Sequence, residues 1–342
     1  MNPGEPPVRW RRVWPRRSGD PAAGLVLEGT DAGGRVVAGT ADATGAPVRL
    51  RTEDPRLPAL DRVVDDAAGS VVGHRWGKRA VVRRPDRFVK LATARATRAA
   101  LDRRATLSAA LRGRDGAPDL VDVLRAGEDV LELRPVAGTG LTALLAGGDT
   151  AACVRAGRRT ARATTALAAC GADLPEHDDE AEAAVLTRWV ADAEAFGTAP
   201  RALRRAAGTA LEALRRSHPG PSIPTHRDLH DGQVLLGSRV TFLDVDTAAL
   251  ADPALDVANL LAHLDLAAAR GHRAQARAVA EGLWRGWGEH GHPAAGDPAR
   301  VAALRAVARC RIVAVHSFRG LPPGTAEELL SPCGGADPVL GW

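Results

Sequence analysis

Hydrophobic positions follow two regimes along the chain: short runs up to about residue 134, and mostly helical recurrence beyond it. Leu25-Val26-Leu27 and Arg35-Val36-Val37-Ala38, parted by Asp31-Ala32-Gly33-Gly34, predict a small β-meander. Pro47-Val48-Arg49-Leu50 is a candidate third strand. Val71-Val72, Ala80-Val81-Val82 and Phe88-Val89-Lys90-Leu91 predict further strands. Gly73 to Lys78 forms a glycine-bearing loop between the first two, and Pro85-Asp86 turns between the last two. A helix over about 92–111 follows, then strands at Leu120–Leu124 and Val130–Leu133 with Gly127 at their turn. Pro135 lacks an N–H and ends that order.

Ala, Leu and Val at helical spacing predict helices over 150–169, 178–196 and 201–217, with Pro200 opening the third. More helices are expected near 253–269, 273–290 and 298–316, with a bend at Gly286-Trp287. Between the two helical groups, Val234–Leu236 and Val240–Leu243 read as short strands around the turn Gly237-Ser238. The fold class is α+β. Residues 1–57 are expected to be a loose Pro/Arg-rich start (1–20) plus the meander, 58–134 a small β-rich lobe, and 135–342 a larger helical lobe. The Pro/Gly-rich stretch from Pro322 to Trp342 carries no predicted element.

Composition narrows the class. A chain of 342 residues can bury a large core, but it has no Tyr and only 3% aromatic residues, so that core must be Leu, Val and Ala packed between helices. Cys153, Cys170, Cys310 and Cys333 show no CxxC spacing, which indicates neither a zinc site nor a disulfide framework and suits a reducing cytoplasm. The N-terminal stretch has no apolar segment of the signal-peptide kind, and no uncharged run is long enough to span a bilayer. The net charge of +5 comes from arginines interleaved with acids on helices, as in RALRRAAGTALEALRR. That pattern predicts solvated helix faces, with no nucleic-acid or membrane partner. A monomer or homodimer is expected.

The densest chemistry lies in Thr225–Leu236, THRDLHDGQVLL. Asp228 is followed five residues later by Gln233 and sixteen later by Asp244, with the two short strands holding them. A carboxylate to orient a hydroxyl, plus an amide and a carboxylate to hold a metal nucleotide, is what phosphoryl transfer requires. Each acid also has a plainer reading, Asp228 as a turn cap and Asp244 as a strand-end turn residue. The arginine-rich chain has only two lysines, Lys78 and Lys90. A compact ammonium on a strand fits between phosphates where a planar guanidinium does not; the plainer role of Lys90 is to blunt a sheet edge.

His226-Arg227-Asp228, Gln233 and Asp244 resemble the catalytic loop and metal Asp of the protein-kinase-like fold. His230-Asp231-Gly232 and Asp252-Pro253-Ala254-Leu255-Asp256 resemble its aminoglycoside phosphotransferase and small-molecule kinase branch. The resemblance spans roughly 70–320 and is sharp between 225 and 256. It implies a bilobal protein-kinase-like fold and an ATP- or GTP-dependent, Mg²⁺-requiring transfer to a hydroxyl of a small molecule: an aminoglycoside, a sugar or an amino alcohol. By resemblance, Asp228 is catalytic and Gln233 and Asp244 hold the metal. Lys90, Gly73, Gly77, Lys78, Glu132, Arg134 and Leu235 meet the nucleotide, with adenine at the hinge around Glu132–Arg134.

Two departures stand out: Gln233 replaces the usual Asn, and Asp244-Val245-Asp246 replaces Asp-Phe-Gly. The helix after Lys90 contains no Glu, so Lys90 is held either by Asp102 or by phosphate and Asp244 alone. His226 is expected to fix the loop, His230 either to meet phosphate or to cap it, and Asp256 to tie it down. The acids from Glu176 to Glu182, with Asp192 and Glu194, form either a wall attracting a cationic amino sugar or a solvated helix start. A catalytically silent, nucleotide-binding relative is the alternative function.

Overall fold

The computed structural model describes residues 8–46, 48–51, 53–64 and 69–331. Cys333, Trp342 and the proline of the third meander strand, Pro47, lie outside them. The chain opens with an antiparallel sheet of β1 (Arg9–Pro15), β2 (Leu25–Thr30), β3 (Val36–Ala41) and β4 (Arg49–Arg51), in that order. The expectation of a loose start is therefore corrected at β1. A bulge between Trp10 and Arg12 puts Trp10 and Val13 on the face packed against the core and Arg12 and Trp14 on the opposite face, and this pattern was masked by the Pro/Arg bias. Ser18 Oγ and Gly19 N donate to Asp192, tying this sheet to the helical part.

After α1 (Ala59–Val64) comes the small lobe. It contains β5 (Ser70–Arg75), β6 (Arg79–Arg83), β7 (Phe88–Ala92), α2 (Ala94–Leu111), β8 (Asp119–Leu120), β9 (Val123–Ala126) and β10 (Val130–Leu133). Its sheet runs β5-β6-β7-β10-β9. The run 120–124 is not one strand. It breaks at Val121-Asp122, and β8 leaves the sheet to pair in parallel with a strand of a later hairpin described below. Leu57, Ala59, Leu60, Ala80, Val82, Val89 and Leu91 form this lobe's own core.

The remainder is helical around short strands: β11 (Thr139–Gly140), α3 (Leu141–Gly147), α4 (Thr150–Ala168), α5 (Asp179–Ala195), α6 (Leu203–Arg216), β12 (Ile223–Thr225), β13 (Val234–Leu236), β14 (Val240–Phe242), β15 (Ala249–Ala251), α7 (Ala254–Ala267), α8 (Arg273–His290), α9 (Pro298–Ser317) and α10 (Thr325–Leu330). Asp149, Asp178 and Asp297 cap α4, α5 and α9 through side-chain bonds to backbone N–H groups. Helix α8 does not bend at Gly286; it runs through to His290. Its glycines let it press against α4 instead. A Cβ at Gly282 would sit 2.1 Å from the Val154 carbonyl oxygen, and one at Gly286 would sit 2.7 Å from Ala161 Cβ. No helix among the described residues is long and apolar enough to cross a membrane.

Candidate active site

The hairpin β13–β14 pairs Val234 with Phe242 and Leu236 with Val240. Leu243 N donates to Gln233 O at 2.9 Å, closing the open end, so Gln233 and Asp244 emerge side by side. Arg227 (φ 68°) and Asp244 (φ 51°) are the non-glycine residues with positive φ among those described. Such a backbone costs about 1–3 kcal/mol per residue and persists only when its surroundings enforce it.

Those surroundings are visible. Asp256, buried on α7, accepts from His226 N at 2.6 Å and Arg227 N at 2.8 Å. Asn259 Nδ2 donates to Leu229 O at 2.8 Å, and His226 Nε2 donates to Leu243 O at 2.7 Å. Burial raises the Asp256 carboxyl despite the His226 charge and both N–H donors. Asp228 stands in the middle of this clamped loop, exposed, with no hydrogen bond or ion pair to its carboxylate among the described residues.

Lys90 sits on β7 between Val81 and Leu131 of the neighbouring strands. Its Nζ lies 2.7 Å from Asp244 Oδ1 and 2.5 Å from Asp246 Oδ2. Asp102 is exposed on α2, so the choice left open by the sequence resolves toward Asp244, joined by Asp246. Asp246 was missed as a partner; the signal was an acid repeated two residues after the metal-type Asp. Burial pushes the Asp244 carboxyl up, but the Lys90 charge and hydrogen bond, with Arg79 and His226, hold it below the usual carboxylate range. The Gln233 amide and the Asp244 carboxylate are hard oxygen donors leaving one end of a hairpin, a set that fits Mg²⁺.

A cleft of about 930 Å³ opens here, lined by Asp228, Gln233 and Asp244. His230 caps the loop, its Nδ1 accepting from Gly232 N, and its ring stacks on His263 at 4.7 Å. Asp231 accepts from Thr142 Oγ1 at 2.7 Å. Burial works against the Asp231 charge, yet His230, Thr142 and His263 bring its pKa down to about 2.

The other expected nucleotide residues do not line this cleft. Gly73 lies within β5, at a bulge, rather than in a loop. Gly77 (φ 72°) is in the turn, but its N–H donates to Asp54 at 2.7 Å, and His74 N donates to Glu28 at 2.6 Å. The backbone amides of His74 and Gly77 are thus already engaged. Lys78 is exposed on the turn, and the Arg75 charge, ahead of desolvation, lowers its pKa. Glu132 pairs with Arg87 at 2.9 Å. Arg134 N donates to Asp122 O, so the hinge loses that donor, and Pro135 has none. Leu235 lies on β13 opposite Thr241 and Gly140.

The acidic stretch forms no wall beside Asp228. Asp178 caps α5, Asp179 and Asp252 bind Arg300, and Glu182 bonds His177 at 2.9 Å with Arg311 at 3.6 Å. Glu194 pairs with Arg204. Residues 176–180 line a separate depression of about 380 Å³.

The model of the phosphotransferase enzyme family (APH) matches residues 67–304. The chain belongs to that family. Among solved structures, this phosphotransferase resembles a choline/ethanolamine kinase family protein from Mesorhizobium loti: TM-score 0.51, 17% identity, covering 77% of this chain and 87% of that one. An ADP-bound aminoglycoside phosphotransferase APH(2'')-Ib matches at TM-score 0.49 and 12% identity, covering 80% of this chain and 95% of that one. A glucosamine kinase in complex with glucosamine, ADP and inorganic phosphate matches at TM-score 0.49 and 19% identity, covering 95% and 94%. The kinase-like fold, a β-sheet region followed by a helical one, is the fold of this family member. No curated protein matches the sequence.

Proposed function

We propose that this phosphotransferase moves the γ-phosphoryl group of ATP or GTP, in its Mg²⁺ complex, to a hydroxyl of a small molecule in the cytoplasm, acting as a monomer or homodimer. The observation that carries this is the unpartnered Asp228 carboxylate in a cleft it shares with Gln233 and Asp244, with Lys90 anchored on Asp244. Asp228 orients the acceptor hydroxyl and takes its proton as the new O–P bond forms and the bond to the leaving nucleoside diphosphate breaks. Placement matters more here than basicity, and the bonds from Asp256 and Asn259 supply it. Gln233 and Asp244 would hold Mg²⁺, which contributes charge neutralisation on the phosphoryl oxygens. Lys90 Nζ, already drawn to two carboxylates, is placed to exchange part of that contact for phosphate oxygens.

Asp228→Asn tests the reading. Nucleotide-driven ADP release with an accepted alcohol should fall by about 10²–10⁴-fold, while the thermal shift with Mg²⁺-ATP persists. Unchanged turnover in that variant would remove Asp228 from the chemistry and the proposal with it.

A further inference from the structure

The wall facing Asp228 is built from cations. Arg12, Arg75, Arg79, Arg270, Arg311 and Arg319 line the cleft, against the aspartates Asp228, Asp231 and Asp244. Some are accounted for. Arg12 pairs with Glu28 at 3.3 Å, Arg79 reaches Asp244 at 3.5 Å, and Arg311 is held by Glu182 and Asn259.

Arg75 and Arg319 are different. No carboxylate pairs with either among the described residues; their guanidinium carbons instead lie over the Trp14 ring, at 4.8 and 5.5 Å. Arg319 Nε is buried without a hydrogen-bond partner. Both guanidinium groups are pulled down to about 10, first by burial and then by neighbouring arginines: Arg79 and Arg319 act on Arg75, and Arg12 and Arg270 act on Arg319, with the Glu28 charge opposing them in part. Arg270 reaches only His316 Nδ1, at 3.4 Å. Burial, then Arg319 and Arg270, bring His316 down to about 3, so its imidazole adds no further positive charge to the cluster.

Several partly buried cations share the charges of Glu28 and Asp231, and this excess of positive charge raises the free energy of the unliganded protein, a cost that a bound anion offsets. Bidentate guanidinium groups also match carboxylate and phosphate oxygens geometrically. We infer that the acceptor is an alcohol bearing an anionic group, a carboxylate or a phosphate ester, which docks on Arg75 and Arg319 while its hydroxyl faces Asp228. This rests on the phosphotransfer reading above and names its substrate class. Trp14 gives the two arginines a fixed platform, so the docking point is preformed.

Calorimetric titration of the full chain, saturated with Mg²⁺ and a non-hydrolysable ATP analogue, tests this. The probes are D-gluconate and D-glucose 6-phosphate, against D-glucose and D-glucosamine. At least one anion should bind tenfold or more tighter than both comparators, and Arg75→Gln or Arg319→Gln should erase that advantage. Which anion binds separates carboxylate from phosphate. Each variant's own melting transition verifies that it folds. Equal binding of all four probes, or an anion preference intact in both variants, overturns the inference. So does displacement of the nucleotide analogue by the anion, since the arginines would then serve the nucleotide. None of these results touches the Asp228→Asn experiment, so the two readings fail separately.

Discussion

The two sides of the cleft handle charge in opposite ways. On the floor, Asp244 and Asp246 share Lys90, and Asp231 accepts from the Thr142 hydroxyl beside the imidazoles of His230 and His263 at 3.8 Å. On the wall, Arg75 and Arg319 have an aromatic ring and each other's repulsion. A site that must position a reacting group needs internal partners, because the position has to exist before anything binds. A surface that recognises a charged molecule leaves its charges available, at some cost to the empty protein.

Breaking the floor's scaffold should have the largest effect. Asp256→Ala leaves the N–H groups of His226 and Arg227 buried and unpaired, and at about 1–3 kcal/mol for each the loss is roughly 2–6 kcal/mol in urea denaturation. Next comes Glu182, which makes Arg311 a paired cation where Arg319 is not. Burial opposes its charge, but Arg311 and His177 lower its pKa from 4.5 to about 2. A depressed folded pKa means that stability is full above pH 4.5 and drains away as pH falls toward 2, by roughly 3 kcal/mol from linkage. Glu182→Gln should flatten that acid limb in melting curves taken across the window. The smallest and sharpest contrast uses one cation from each side. Lys90→Met strands two carboxylates and should lower stability by about 2–3 kcal/mol. Arg319→Met removes repulsion along with its ring contact and should stay within about 1 kcal/mol of the parent. Equal losses in the two variants would erase the distinction between floor and wall.

The floor was readable in the sequence because its residues are packed into one stretch. Asp228 and Gln233 lie in the loop between β12 and β13, Asp244 just beyond β14 and Asp256 in the first turn of α7, so short connections along the chain bring them together in the fold. Lys90 was found by its rarity and its strand. The long helices came through within a few residues because Ala, Leu and Val repeat cleanly; the short α1, α3 and α10, the last within the stretch from Pro322 expected to carry no element, are too brief to show a period, and the expected bend at Gly286 misread a packing glycine as a hinge.

What stayed hidden depends on long-range partners. Nothing local says that Asp54 and Glu28 consume the amides of Gly77 and His74, or that Asp122 consumes that of Arg134. Nothing in RWRRVWP says that Trp14 faces a cleft. Arg75, Trp14 and Arg319 come from three distant segments, and in an arginine-rich chain none of the three is conspicuous.

The tie from Ser18 and Gly19 to Asp192 holds the opening sheet on α5, and that sheet carries Trp14. Trp14 and Arg319 both fall outside residues 67–304, the span shared with the family at large. Arg75 falls inside it, so the proposed docking point straddles the shared span and what flanks it. Exchanging the two flanks between relatives should therefore weaken the proposed anion preference rather than transfer it whole.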